Sequence, residues 1–442
     1  MPHGFSRASL RPRLVAVLAA AVLLLCGWTA GALSGTGSTA SPSPASAPAN
    51  WVGTWASVPT ATPATATPTL HDQTIREVVH TSVAGDEVRL RLTNEFGEKA
   101  LTIGEVHVAR RAGTTGTEID RATDRTVRFG GDPAVTIPAG APLVSDPIPL
   151  AVPAQADLVV SLYLPEETEV TTLHAFSYQD NDIASGNVTG DTTVRATEQV
   201  TQWFFLSGVS VRTHDPRAGA VVTFGDSITD GANTTVNADH RWPDLLAARL
   251  RQTPSLRDVG VLNLGISGNR LLHDPNPLPG SDAQNYATFF GQSALRRFDR
   301  DVLAQPGARD VIVLLGVNDL GHPGTSAPIS ETVTAQQIID AYRQLIARAH
   351  QAGLKIYGAT IMPFKDDTLG FYSESNEAKR QQVNRWIRTS GEYDGVIDFD
   401  AVMRDPADPQ RLLGAYDSGD HLHPNDTGTA AMAAAIPVRF LQ

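Results

Sequence analysis

The chain has a single cysteine in 442 residues, Cys26, and that one lies in a segment that reads as removable. No disulfide is then open to the remainder, so its stability in an oxidising compartment rests on buried cores alone. A basic surplus is also missing: 35 Lys and Arg stand against 47 Asp and Glu, a formal charge of -12. A charge of that sign repels nucleic acid and anionic lipid, and no basic stripe reverses it locally, so neither is expected as a partner. Acidic residues are themselves absent before Asp72. There, Arg7, Arg11 and Arg13 precede the apolar run "LVAVLAAAVLLLCGWTAGAL" at 14–33, and Ala30-Gly31-Ala32 supplies a small-x-small cleavage site. Residues 1–32 therefore read as a secretory signal, which places the mature protein outside the cell without stable membrane anchoring. The alternative is an uncleaved anchor, because the run is long enough to span a bilayer. A lipoprotein reading of Cys26 meets a bulky Leu25 where a small residue is wanted.

Residues 33–72 follow with "SGTGSTASPSPASAPAN" and "TATPATATPT", poor in charge and rich in Ser, Thr, Ala and Pro. They read as a low-complexity linker in which "WVGTWASV" can dock as a strand. Residues 73–215 have period two. "TIREVVHTS", "EVRLRLTNEF", "LTIGEVHVAR" (101–110), "ADLVVSLYLP" and "WFFLSGVSVR" (203–212) are separated by Gly, Asp, Asn and Pro. This predicts an all-β accessory domain, most simply a jelly-roll-like sandwich. From 216 to 442 the rhythm becomes strand, loop, helix. The strand candidates are 220–225, 261–266, 310–316, 355–362 and 395–400, almost wholly apolar, as strands buried on both faces of a parallel sheet should be. Thr334 and Gln337 form a capping box for a helix that closes at Gly353, and a second helix carries Val383, Trp386 and Ile387. The expected fold is a three-layer α/β/α domain whose functional groups gather at the carboxyl ends of its strands.

Ser227, in "GDSITDG", lies just past the first of those strands. On that triplet alone it reads equally as a turn or a helix cap. As a nucleophile it needs a base, and the base needs an orienting carboxylate. "DSGDHLHPND" (417–426) offers both: Asp420 and His423 are three apart, so one turn can bring the carboxylate to Nδ1 and leave Nε2 facing another strand end. His421 is the rival base. The Asp-His-x-His run also offers three metal ligands, but no further cluster of matching spacing completes a site. Donors for an oxyanion are sought at neighbouring strand ends, where Gly268 of "GISGNR" offers a backbone N–H and Asn318 of "GVNDLG" a side-chain amide.

These four stretches resemble the blocks of the SGNH hydrolases, the GDSL-type esterases and lipases. Ser227 falls in "GDSIT", Gly268 in "GISGN", Asn318 in "GVND", and Asp420 and His423 in "DHLH"; the one departure is Ile228 in place of Leu. The resemblance covers roughly 218–442. The preceding part, with "WVGTWA", "HTS" and "WFFLSGV", is similar to the accessory domain of secreted two-domain members of actinobacterial type. The resemblance implies a serine ester hydrolase acting through an acyl-enzyme. Ser227 is then the nucleophile, His423 the base and Asp420 its support, and the oxyanion hole is formed by Ser227, Gly268 and Asn318, with no metal or organic cofactor.

The expected substrate is a small-molecule or polysaccharide-borne ester of a short acyl group, acetyl first. A lipase or acyltransferase acting on longer-chain lipid esters is the alternative, with Leu278, Tyr286, Phe289 and Phe290 of the insertion 276–291 as one wall of an acyl channel or else as a surface loop with an aromatic anchor. A non-catalytic glycan-binding protein is the alternative of another class, but it predicts loss of a site member and all five are present. The β domain reads either as a glycan module or as a packed stability module. Within "NTTVNADHRWPD" (233–244), His240 or Arg241 faces the substrate or Trp242-Pro243 starts a helix. "YQDNDIASG" (178–186) has the spacing of some calcium loops but lacks the remaining ligands, and is expected to be a solvated turn.

Overall fold

The computed structural model describes residues 50–442; the expected signal and the linker residues 33–49 lie outside them. The described residues belong to one compact unit. Its first part is built from antiparallel sheets. One orders Asn50–Ala56, Leu206–Thr213, Val88–Thr93 and Pro142–Val144; the other orders Ala196–Val200, Asn181–Ser185, Gln73–Thr81, Ala156–Leu164, Glu105–Arg110 and Arg125–Thr126. Alternation decides which face is buried. Leu158, Val160 and Leu162 enter the main core, whereas Val159 turns the other way into a small cluster with Val78, Ala109 and Ile119. The result is a β-sandwich.

Several local expectations shift. Residues 50–72, expected as linker with one docking strand, carry the strands Asn50–Ala56, Thr60–Ala61 and Thr69–Leu70. The run at 101–110 is two strands broken at Gly104. The run at 203–212 breaks at Phe205, whose φ of 58° is left-handed. Asn181–Ser185, expected as a solvated turn, is an interior strand of the six-stranded sheet, and the Asn181 carboxamide is spent on Val78 N–H and Gln202 O.

The second part has a five-stranded parallel sheet ordered Val259–Gly265, Gly219–Gly225, Ala308–Leu314, Lys355–Ala359 and Gly395–Ile397. All seven residues of Gly219–Gly225 are buried. Helices Trp242–Arg251, Ala335–Gln351, Glu374–Thr389 and Asp426–Ala435 accompany the sheet. The Thr334 capping box is present, and Trp242-Pro243 does open a helix. The fifth strand stops at Ile397, short of 400, because the Asp398 carboxylate accepts the Ala401 N–H and starts a helical turn at Phe399. In sequence order the strands run 2-1-3-4-5, so the first strand sits where the winding reverses, and in such sheets the crevice beyond the carboxyl ends at that point binds ligands.

The two parts share one continuous core. Val259–Gly265 is the edge strand of the parallel sheet, and an open edge invites unwanted pairing. The β part covers it. Val261 N–H donates to Ser82 Oγ (2.9 Å), which donates in turn to Thr54 O (2.6 Å), and Gly53 N–H donates to Pro306 O (2.8 Å). Among the described residues no helix is long and apolar enough to cross a membrane.

Candidate active site

The first strand ends in Gly225, where a Cβ would lie 2.1 Å from Thr229 Oγ1 and 2.9 Å from Leu314 O. Only glycine lets the chain turn this closely under the next strand. The turn leads into one helical turn, Ser227–Asp230, whose cap is Asp226: its carboxylate accepts the Ile228 N–H at 3.1 Å. Capping is thus done by the residue before Ser227, and the serine hydroxyl is left for another partner. That partner is His423 Nε2, at 2.8 Å. On the other side of the ring, Nδ1 lies 2.6 Å from Asp420 Oδ2.

Asp420 is held on several sides. Oδ1 accepts the N–H groups of Leu422 (3.0 Å) and His423 (2.8 Å) and the Ser418 hydroxyl (3.2 Å), while Oδ2 also accepts the Asn233 amide (2.9 Å). Burial opposes its ionisation, but the His423 ring and these N–H donors outweigh it and hold the carboxyl well below the usual range. An ionised Asp420 requires a proton on Nδ1, which leaves Nε2 free to accept from Ser227. The rival His421 is turned away: it sits at φ 61°, its ring nitrogen is taken by Asp417, and its side chain is about half exposed. Its donors therefore do not join those of Asp420 and His423 in a ligand set. Among the described residues, the group whose donors do converge is His80, Asp157 and Asp239. Burial works against a charged His80, yet Asp157, Asp239 and Asp244 push it up to about 9, so the imidazolium is itself the cation there.

Gly268 and Asn318 follow the strands on either side of the first, whose Gly225 is in register with Gly265 and Leu314. Gly268 has φ 78°, and a Cβ on it would lie 2.1 Å from the Phe290 ring. The Asn318 amide gives one hydrogen to Asn269 O at 3.0 Å and keeps its second. Neighbouring Asp319 accepts Leu271 N–H (2.7 Å) and Leu272 N–H (2.9 Å). The asparagine block thus grips the loop that follows the glycine block. The Ser227 N–H, in the first turn of its helix, has no intrahelical acceptor.

Sequence reasoning missed the residues that hold this frame. Fully buried Arg297 donates to Gly225 O (2.9 Å), Leu264 O (3.1 Å) and Asn269 Oδ1 (3.1 Å), pairs with Asp301 (3.2 Å) and lies 4.1 Å from the Phe224 ring centre. It ties the ends of two strands together, and burial brings its pKa down to about 10. Asn233, the Asp420 partner, stands at the head of the 233–244 stretch. His240 instead pairs with Asp426 (2.7 Å), and Arg241 is buried over Trp203 (5.4 Å) beside Asp244, so the expectation that one of them faces the substrate gives way to a structural role for both. In the insertion 276–291, Phe290 covers Gly268, and Phe289 packs edge-on against Phe176 of the β part (6.3 Å), as an aromatic anchor would.

Residues 223–431 match the model of the GDSL-like lipase/acylhydrolase family. No curated protein matches the chain. Among solved structures it is similar to a carbohydrate acetylesterase, Est24, from Sinorhizobium meliloti, at 14% identity over 51% of this chain and 100% of that one (TM-score 0.37). It is also similar to the aryl esterase of M. smegmatis, at 18% identity over 49% and 96% (TM-score 0.36). An acetyl xylan esterase, AlAXEase, is similar at 20% identity over 49% and 96% (TM-score 0.34).

Proposed function

From a GDSL-like lipase/acylhydrolase domain at residues 223–431, which makes the chain a serine ester hydrolase, we propose that it is secreted and cleaves short-chain acyl esters, acetyl esters of polysaccharide first among them, with Ser227, His423 and Asp420 as its catalytic residues. The observation that carries the reading is the unbroken hydrogen-bond chain from Ser227 Oγ through His423 to Asp420, at 2.8 and 2.6 Å.

Ser227 Oγ bonds to the ester carbon as its proton passes to His423 Nε2, and the carbonyl pair moves onto oxygen. The N–H groups of Ser227 and Gly268 and the second hydrogen of the Asn318 amide stabilise that oxyanion. Its collapse expels the alcohol, which takes the proton from Nε2 and leaves an acyl-serine. A water then gives its proton to Nε2 and its oxygen to the acyl carbon. The second collapse releases the carboxylic acid and returns the proton to Oγ.

The short-acyl reading rests on the space beside Gly268. A narrow cleft of about 10 Å³ is bounded there by Phe290, His322 and Ala287, far below the roughly 300–1,000 Å³ of ordinary ligand pockets. Burial and the charge of Arg270 bring the His322 pKa down to about 3, so this wall stays neutral at working pH. Longer chains are favoured by one feature, the exposed apolar side chains of Tyr286, Ile329 and Leu369. The edge-covering contacts of the β part support its role as a structural module over one as a glycan binder.

The test is hydrolysis of p-nitrophenyl esters from acetate to palmitate by the full chain, with Ser227→Ala alongside. The expected result is a maximum at acetate and a loss on the order of 10⁶ in turnover in the variant. A maximum at eight carbons or longer moves the substrate to lipid, and near-normal turnover by Ser227→Ala refutes the serine mechanism.

A further inference from the structure

The β part makes a second contact with the α/β part, deeper than the covered sheet edge. His174 ends the strand Thr172–His174 of a small sheet with Thr60–Ala61 and Trp203–Phe204. Its ring lies beside Trp203 (5.5 Å between centres) and is almost wholly buried. Nδ1 is 2.9 Å from Val58 O, and Nε2 is 2.9 Å from Asp230 Oδ1. Asp230 is the last residue of the helical turn that begins at Ser227. Its other oxygen, Oδ2, accepts both the backbone N–H (2.8 Å) and the hydroxyl (2.7 Å) of Ser267, the residue immediately before Gly268.

A carbonyl oxygen can only accept, so Nδ1 must carry a hydrogen. The carboxylate facing Nε2 calls for a second, and the ring is an imidazolium buried against its counter-ion. Burial and the charge of Arg241 oppose this state, but Asp230 and the Val58 carbonyl outweigh them and raise the His174 pKa. The groups that face the pair are therefore Asp230 from the Ser227 turn, Arg241 from the loop before the next helix, the Val58 carbonyl, and buried Tyr178 beside Asp230.

We propose that His174 is a positioning residue for ester hydrolysis: carried by the β part, it fixes Asp230, and Asp230 fixes Ser267 by backbone and side chain, so that the Gly268 N–H stays aimed at the oxyanion. This rests on the reading of Gly268 as an oxyanion donor. Ser267 cannot rotate without giving up two hydrogen bonds to one buried carboxylate, and the peptide that carries the Gly268 N–H is the next one along the chain. The β part is thus a component of the oxyanion site as well as a cover for the sheet.

The experiment compares His174→Gln and Ser267→Ala with the wild-type full chain on p-nitrophenyl acetate between pH 6 and 9. Competent sites are counted in each preparation by burst titration with diethyl p-nitrophenyl phosphate, so that kcat is expressed per working serine. Both variants are expected to lose about 10–100-fold in kcat per site, the scale of a sub-ångström to ångström misplacement, with KM changed less than about twofold. In the wild type, kcat should fall on the alkaline side as His174 loses its proton; His174→Gln should lose that alkaline fall. If His174→Gln does not fold, Ser267→Ala carries the kcat test, since it removes one bond without emptying the interface. A per-site kcat within twofold of wild type, or a loss explained wholly by fewer titratable sites, overturns the proposal. Failure of the serine mechanism is told apart by Ser227→Ala: activity there, or no burst in the wild type, removes the oxyanion reading and this role with it.

Discussion

Two of the molecule's histidine–aspartate pairs, one at the proposed nucleophile and one behind the proposed oxyanion donor, differ in what faces the ring nitrogen that the aspartate leaves over. In the α/β part, His423 has Asp420 on Nδ1 and the Ser227 hydroxyl on Nε2. At the seam with the β part, His174 has the Val58 carbonyl on Nδ1 and Asp230 on Nε2. A hydroxyl can donate as well as accept, so His423 can work with one proton and take a second during the reaction. Two obligate acceptors leave His174 no such freedom. Burial follows the same division: the His423 and Asp420 side chains keep 11% and 22% of their surface exposed, whereas His174 and Asp230 keep 4% each. On the proposed reading, one pair moves a proton and the other holds one.

The comparison is broken most directly at Asp420. Asp420→Asn keeps the shape but offers Nδ1 an amide that can present its N–H, which favours the tautomer with hydrogen on Nε2 facing Ser227. Turnover of p-nitrophenyl acetate at pH 7.5 should fall by about 10³–10⁴. A loss of less than tenfold would mean that the Asp420 pair, like the Asp230 pair, only holds structure. Next in size is Asn318→Ala, which removes a proposed oxyanion donor and also the bond to Asn269 O. The expected loss is roughly 10²–10³ in kcat, with KM nearly unchanged. An effect confined to KM would place Asn318 in ground-state binding instead.

These two tests concern residues legible in the sequence, and the reason is physical. The serine, glycine and asparagine blocks follow the carboxyl ends of apolar strands and Asp420 and His423 share one short loop before the last helix, so in each case a short contiguous stretch supplies both the turn and the chemical group. Gly225, Ser227, Gly268, Asn318, Asp420 and His423 could therefore be read locally. The parallel sheet was legible for a related reason, since strands buried on both faces are apolar throughout. His174 and Asp230, 56 residues apart, and Arg297, which reaches Gly225 across 72, carry no local signal, because an isolated His, Asp or Arg in a chain looks like any solvated residue. The strand that docks at Asn50–Ala56 was visible as an apolar stretch, but its place beside the sheet edge was not. Nor was the break at Phe205, where tertiary contacts impose a left-handed backbone on an aromatic residue.

Asp226 sharpens the comparison from a third side, as a buried carboxyl with no imidazole on it. Burial is the largest influence on it, offset in part by the Ile228 N–H, His423 and Arg297 and reinforced by the charge of Asp319, and its pKa is raised to about 7. Asp420, with an imidazole in contact, goes the other way. The stability consequence follows from proton counting. Between about pH 4, where an unfolded aspartate ionises, and about 7, the folded chain holds a proton on Asp226 that the unfolded chain has lost, so raising the pH through that window withdraws stability; above it the difference no longer changes. Asp226→Asn keeps an oxygen for the Ile228 N–H and cannot ionise, so it escapes the penalty. Its melting temperature relative to wild type should rise by a few degrees between pH 4.5 and 8, as read by thermal unfolding at several pH values. A difference between variant and wild type that stays flat across that range would show that Asp226 is ionised throughout, with His423 and Arg297 holding its charge much as His423 holds that of Asp420.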